Sequence, residues 1–120
     1  MIIIDTSIWV DHLRGIDSPL DEILGSGVEL LHPFVYGELL LNGLPKRGAF
    51  AERLDALNPA PIAAPADVAA FIIWAKLAGA GVGYVDTHLL VSAKLCAGSV
   101  MTKDVNLSIQ AARLGVAYAA

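Results

Sequence analysis

The stretch Met1-Ile-Ile-Ile-Asp-Thr-Ser-Ile-Trp-Val-Asp-His-Leu-Arg-Gly15 decides the fold of this chain. The apolar run Met1–Ile4 predicts a buried strand that ends at Asp5. Thr6–Arg14 has the apolar spacing of a helix, and Gly15 is a residue typical of a helix end. A buried strand followed directly by a helix is the unit from which parallel sheets are built.

The rest of the chain continues this alternation of strands and helices. Further strands are predicted at Val28–Leu31, Ser99–Met101 and Val116–Tyr118. The pattern therefore predicts one α/β domain over residues 1–120, in which helices cover both faces of a short parallel sheet. The remaining helices are expected at Pro19–Leu24, Pro33–Leu41, Pro45–Leu57, Asp67–Leu77, Val85–Ala97 and Val105–Leu114, with a proline-rich break at Asn58–Pro65.

The composition indicates a compact chain with little charge on its surface. Apolar residues make up 56% and charged residues 17% of the 120 residues, whereas a typical domain is about 25% charged. Either the sheet is buried on both faces, or a partner covers apolar surface. An acid as early as Asp5 argues against a signal peptide, and no apolar run is long enough to cross a membrane. With Cys96 as the single cysteine, we expect a cytoplasmic protein.

The net charge of −4 at first argues against a nucleic-acid partner. The chain has 12 acidic and 8 basic residues. When Asp5, Glu38, Asp86 and Asp104 are set aside, 8 acidic residues face 8 basic ones. The excess charge then belongs to one acidic site that a divalent cation would neutralise.

Three of these acids stand where strands end or helices begin. Ligands of parallel α/β sheets bind beyond the carboxyl ends of the strands. Asp5 ends the first strand, Asp104 follows Ser99–Met101, and Asp86 opens a helix. Each can instead cap the following helix, and for Asp5 the cap and the ligand are equally good interpretations.

Glu38 lies in an apolar row of the helix Pro33–Leu41, near Phe34, Val35 and Leu41. A buried carboxylate without a partner is very costly. Either a cation pairs with Glu38, or the row reaches solvent at its edge. We prefer the cation.

Four carboxylates suit one or two Mg²⁺ or Mn²⁺ ions, which bind oxygen ligands. Such an ion lowers the pKa of a bound water, so that the water can attack a phosphodiester. The three histidines, His12, His32 and His88, are scattered and do not predict a zinc site.

The residues around each acid resemble one family along nearly the whole chain. The blocks are similar, in order, to those of PIN domains, and in particular to VapC-type toxins of type II toxin–antitoxin pairs. They are Ile4-Asp-Thr-Ser-Ile-Trp-Val-Asp-His-Leu-Arg14, His32-Pro-Phe-Val-Tyr-Gly-Glu-Leu39, Gly83-Tyr-Val-Asp-Thr-His-Leu-Leu90, Met101-Thr-Lys-Asp104 with Leu107, and Ala112-Arg-Leu-Gly-Val116.

The resemblance implies a PIN-like three-layer fold and a metal-dependent ribonuclease with Asp5, Glu38, Asp86 and Asp104 as metal ligands. It also implies inhibition by a VapB-type antitoxin and a toxin homodimer, for which the helices around Leu39–Leu44 and Phe71–Trp74 are candidate surfaces. No acid follows Asp104 in the sequence, so Asp104 is the only candidate for the last position.

Secondary roles fall to a hydroxyl and to basic residues. Thr102 is a minor contributor that would hold a metal-bound water or Asp104. Asp11 is placed outside the site. Basic residues are expected to contact RNA phosphates, three of them on one helix; they are Arg14, Lys46, Arg47, Arg53 and Lys103.

The sequence thus predicts an endoribonuclease toxin that cleaves RNA with a metal-activated water. Two alternatives stay open. One is a PIN-fold nuclease for RNA processing or for DNA, without an antitoxin. The other is a non-catalytic RNA-binding PIN module, which the presence of all four acids disfavours.

Overall fold

The computed structural model describes residues 1–44 and 47–119. In that part of the chain, a parallel sheet of four strands is combined with seven helices. The elements are β1 (Ile2–Ile4), α1 (Thr6–Leu13), α2 (Leu20–Ile23), β2 (Glu29–Leu31), α3 (Pro33–Leu41), α4 (Ala49–Asp55), β3 (Asn58–Pro59), α5 (Pro65–Trp74), α6 (Tyr84–Leu95), β4 (Ser99–Met101) and α7 (Val105–Arg113).

The sheet has the strand order β3-β2-β1-β4, and all three pairings are parallel. β1 therefore lies between β2 and β4, with Ile3 opposite Leu30 on one side and Val100 on the other. Ile3 and Ile4 are both fully buried. Because successive side chains of a strand point to opposite faces, helices must cover both faces of the sheet. The predicted three-layer α/β architecture is confirmed.

Most predicted elements are present, and the differences have local causes. The helix expected at Pro45–Leu57 begins only at Ala49 among the described residues; Pro45 and Lys46 lie outside them. The helix expected at Asp67–Leu77 begins earlier, at Pro65, because proline suits the first helical position. It ends at Trp74, and Lys76 then takes a left-handed conformation, with φ of 55°.

The predicted break at Asn58–Pro65 and the predicted last strand are both partly wrong. The break contains the short edge strand β3, where Ala60 N donates to Leu31 O. Pro59 is tolerated there because an edge strand does not need every backbone N–H group. In place of a strand at Val116–Tyr118, the structure has an isolated bridge between Val100 and Ala117.

Two histidines that the sequence left scattered meet in the core. His32 follows β2, is fully buried, and its Nδ1 accepts a hydrogen bond of 3.0 Å from Phe34 N at the start of α3. His88 of α6 is also buried, and the two ring centroids lie 6.2 Å apart. Burial, and then the neighbouring His88, lower the pKa of His32 to about 4. Burial also lowers the pKa of His88.

No helix in residues 1–44 and 47–119 has the length and apolar character needed to cross a bilayer.

Gly98 connects α6 to β4 at a place with no room for a side chain. A Cβ atom there would overlap the carbonyl oxygen of Met1 and press on Cys96 Sγ. We expect Gly98→Ala to lower the free energy of unfolding by about 1–3 kcal/mol, as measured by urea denaturation. Gly37→Ala is the matched control, since a Cβ at this α3 position meets nothing within 4 Å. It should raise stability by about 0.5–1 kcal/mol, and equal effects of the two substitutions would contradict the argument.

The depressed pKa of His32 makes stability depend on pH. Between the ordinary value of 6.5 and about 4, the unfolded chain binds a proton at His32 that the folded chain does not. The contribution of the neutral histidine to the free energy of unfolding should therefore be fully present above pH 6.5. It should fall as the pH drops, by up to about 1.4 kcal/mol per pH unit for each such histidine. Asn is a good helix cap but does not titrate, so His32→Asn should flatten this slope in denaturation curves. A slope identical to that of the unsubstituted protein would contradict this assignment.

Candidate active site

The adjacent strands β1 and β4 end side by side and bring two of the four acids together. Asp5 follows β1 directly, and its backbone N–H donates a hydrogen bond of 2.9 Å to Met101 O, at the end of β4. Asp104 follows three residues later, at the start of α7. Parallel pairing alone therefore places both acids at the carboxyl edge of the sheet.

Asp5 is buried, with 6% of its surface exposed, and is held by three donors. Its Oδ1 accepts from Thr6 N at 2.8 Å, and its Oδ2 accepts from Ser7 Oγ at 2.9 Å and Thr102 Oγ1 at 2.7 Å. The carboxylate caps α1, as the sequence allowed, and is locked in orientation. Two oxygens offer about four acceptor positions, so capping leaves room for a further ligand.

Thr102 links Asp5 to Asp104. Its hydroxyl donates to Asp5 and accepts a hydrogen bond of 3.0 Å from the backbone N–H of Asp104. Asp104 Oδ1 caps α7 by accepting from Leu107 N at 2.8 Å, and Asp104 is exposed. The hydroxyl predicted to be a minor contributor thus connects the two acids through one oxygen atom.

Glu38 joins the group from α3. Its Oε1 accepts a hydrogen bond of 2.7 Å from Thr6 Oγ1, next to Asp5 in the chain, and Glu38 is half-buried. The apolar row around it reaches solvent, because Phe34 is 37% and Leu41 is 89% exposed. The structure therefore supports the interpretation in which the apolar row reaches solvent at its edge, rather than the one in which a cation must pair with Glu38. Thr6 already gives the carboxylate a partner, so a cation is not required to explain its position.

Asp86 lies at the third position of α6, where its Oδ2 accepts a hydrogen bond of 3.0 Å from Gly83 N. Burial is the largest cause of a pKa raised above the ordinary 3.8, and the hydrogen bond from Gly83 opposes it. The negative charges of the other three acids raise this pKa further. Asp5, Glu38 and Asp104 thus all lie close enough to Asp86 for their charges to disfavour its ionised form.

The donor set suits a hard cation but does not form a closed cage. Within residues 1–44 and 47–119, no group of three or more His, Cys, Asp or Glu side chains is arranged to hold a metal ion. Mg²⁺ usually keeps several waters and binds through one or two carboxylates, so a hydrated ion does not need such a group. Three oxygens of the four acids receive no hydrogen bond from this part of the chain: Glu38 Oε2, Asp86 Oδ1 and Asp104 Oδ2.

Arg47 does not lie on the helix where the sequence placed it together with Lys46 and Arg53. Arg47 precedes α4, whereas Arg53 lies in its last turn, with Nη1 3.4 Å from His12 Nε2. Arg14 is exposed at the end of α1. Lys46 lies outside the described residues, so its predicted place on that helix stays a prediction.

Sequence reasoning missed three polar residues of α1 near the site. Thr6 and Ser7 supply hydroxyl donors to the acids, and their position directly after Asp5 was an available signal. Asp11 was placed outside the site, yet it is buried and its Oδ1 lies 2.7 Å from Lys103 Nζ. Nothing local predicts this pair, because 92 residues separate its members.

Comparisons with known proteins identify similar chains. The chain is 37% identical over 120 residues to Ribonuclease VapC32 of Mycobacterium tuberculosis, with the same value for strains CDC 1551 / Oshkosh and ATCC 25618 / H37Rv. The alignment covers 99% of this chain and 97% of the relative. The crystal structure of FitAcB from Neisseria gonorrhoeae matches with a TM-score of 0.67 and 23% identity, covering 98% of this chain and 95% of that one, which shows a shared fold. No protein-family model matches the chain.

Proposed function

This chain belongs to the VapC ribonucleases of the PIN-domain family, and we propose that it is a divalent-metal-dependent endoribonuclease that acts in the cytoplasm as the toxin of a VapBC-type pair. The ribonuclease name of a relative aligned over nearly the full length supports RNA as the substrate. Metal dependence, the acidic site and the antitoxin are parts of the proposal, and each has its own argument.

The observation that carries the proposal is the convergence of four carboxylates, three of which are linked through Thr6 and Thr102. Burial and the charges of three neighbouring acids raise the pKa of Asp86. An RNA phosphodiester is itself an anion, so the bare group would repel its substrate. A divalent cation removes both conflicts, which is the reason for assigning a metal to this site.

Glu38, Asp86 and Asp104 each have one oxygen available to such an ion, and Asp5 has remaining acceptor capacity. We propose that these four residues hold one or two Mg²⁺ or Mn²⁺ ions, directly or through water. When bound, the ion lowers the pKa of water and offsets charge on the phosphate. The all-oxygen donor set fits these cations better than zinc.

The four carboxylates differ in how firmly the chain holds them and in how readily they lose a proton. The three donors to Asp5 hold one carboxylate rigid, while Asp104 and Glu38 are each held through a single oxygen. The raised pKa of Asp86 means that its carboxylate gives up its proton less readily when no cation is present. Cation binding therefore competes with a proton at Asp86, and affinity for the metal should rise with pH.

Exposed basic side chains are the proposed contacts to RNA phosphates. Arg14, Arg47 and Arg53 are all exposed. Such contacts would add affinity without sequence preference. They are secondary in the proposal, because most surface cations have no specific partner.

A nuclease without an antitoxin is the second candidate function. A small adjacent open reading frame, encoding a DNA-binding segment and an apolar tail with arginine, would separate a toxin from a processing enzyme.

The antitoxin and the homodimer are both supported by exposed apolar side chains: Leu41 is 89%, Ile73 78% and Trp74 70% exposed. These residues lie on α3 and α5, within the surfaces Leu39–Leu44 and Phe71–Trp74 that the sequence predicted as candidates.

Cleavage of total cellular RNA tests the catalytic proposal. We expect activity with Mg²⁺ or Mn²⁺ that stops with a chelator. Asp5→Asn and Asp86→Asn should each reduce cleavage by at least about 100-fold, more than is usual for substitution of a residue that only orients a metal ligand. Asp55→Asn, an exposed acid of α4, is the matched control and should cleave normally. Cleavage that persists without metal would contradict the proposal.

Stability of the metal-free protein checks that Asp86→Asn still folds. Asn keeps an acceptor for Gly83 N but removes a charge whose ionisation destabilises the folded state as the pH rises through the raised pKa. At pH 7 we expect a gain of up to about 1 kcal/mol, limited by solvent screening, that shrinks toward acid pH. Metal should raise the Tm of the unsubstituted protein and not that of the variant. If the variant does not fold, the role of Asp86 is to stabilise the start of α6 and not to bind metal.

Sedimentation tests the homodimer. Trp74→Asp places a charge on the exposed end of α5, and we expect it to shift the chain from dimer to monomer because a charge at an interface core is costly. Ile62→Asp is the control, since Ile62 is also exposed but lies outside the nominated surfaces. A chain that is monomeric before substitution would contradict the dimer.

A further inference from the structure

Among residues 1–44 and 47–119, Asp11 is the one buried acid near the site that the proposed mechanism does not use. Its side chain is only 9% exposed, on the second turn of α1. Within the described residues, its carboxylate has a single partner, Lys103 Nζ at 2.7 Å. A carboxylate buried to this degree requires a partner, and Lys103 supplies it from the segment that joins β4 to α7.

That segment, Thr102–Asp104, carries both the hydroxyl that binds Asp5 and the exposed acid of the site. Its three residues are each attached differently: Thr102 to Asp5, Lys103 to Asp11, and Asp104 to Thr102 and α7. The backbone N–H of Lys103 also lies 3.5 Å from Ser7 Oγ. The ion pair is the one attachment among these in which both partners carry full charge.

We propose that Asp11 and Lys103 are positioning residues, whose ion pair holds the segment Thr102–Asp104 against α1 and thereby sets the position of Asp104 relative to Asp5. The inference rests on the proposed ribonuclease function for its kinetic consequences but not for its structural ones. It also gives Lys103 a different role from the phosphate contact expected from the sequence.

The two roles of Lys103 make opposite predictions for Asp11. If Lys103 binds RNA phosphate, removing the charge of Asp11 frees its ammonium group and leaves RNA binding equal or tighter. If the pair positions the segment, Asp11→Asn and Lys103→Met cause the same defect, and the double variant is no worse than either. Lys103→Arg keeps the positive charge and should restore activity.

The kinetic test compares Asp11→Asn, Lys103→Met, their combination and Lys103→Arg with two controls, Asp55→Asn and Lys94→Met. For the two single variants we expect kcat to fall roughly 10- to 100-fold, the range for residues that orient a metal site. KM and the salt dependence of RNA affinity should stay within about twofold of the starting protein. A rise in KM with a smaller salt slope in Lys103→Met, and normal kcat in Asp11→Asn, would overturn the proposal.

Hydrogen exchange of the metal-free protein supplies a readout independent of cleavage. The amides of Asp104 and Leu107 are bonded within the positioned segment and its helix cap. In both single variants they should exchange at least about tenfold faster, while those of Leu89 and Leu90 in α6 keep their rates. Unchanged exchange at Asp104 and Leu107 overturns the proposal. If Asp11→Asn does not fold, Lys103→Met decides the question. Absence of RNA cleavage by the unsubstituted chain would refute the proposed function and leave the exchange result valid.

Discussion

The hydrogen bonds to Asp5 are the constraint on which the rest of the site depends. Asp5 is the first residue after the central strand, and donors from α1 and from the segment after β4 converge on its two oxygens. Burial makes each donor important, because a carboxylate left unpaired at this depth would be very costly. The same three bonds therefore tie α1 to β4 and fix the direction of one carboxylate.

Helix capping leaves carboxylate oxygens of Asp86 and Asp104 without a hydrogen bond from the described residues. Asp5 and Asp104 both cap helices, and Asp86 accepts a backbone N–H group in the first turn of α6. Helix starts favour negative charge, since unpaired N–H groups point outward there. Three helix starts at one edge of the sheet thus stabilise acids that would otherwise repel one another. The fold tolerates an acidic site because its helices begin there.

A second layer of polar contacts supports the acids. Thr6 links Glu38 to Asp5, because its hydroxyl donates to Glu38 and its backbone N–H donates to Asp5. Thr102 connects Asp5 to Asp104. His32 begins α3, the helix that carries Glu38, and is buried without a partner for Nε2 among the described residues. The pKa of His32, lowered to about 4, keeps it neutral at physiological pH. These residues touch the acids or their helices and so control where the carboxylates lie.

The sequence by itself predicted most of the strands and helices in order, though not β3, and it singled out the four acids proposed for the site. Met1–Ile4 and Pro33–Leu41 could be read locally, because apolar periodicity and glycine or proline boundaries act within a few residues. Only the tertiary structure decided which residues meet. It paired Asp11 with Lys103, joined His32 to His88, and gave Glu38 a hydroxyl partner in place of an obligatory cation. Such contacts join residues far apart in the chain, and no local pattern encodes the packing of α1, α3 and α6 or the parallel register of β1 and β4.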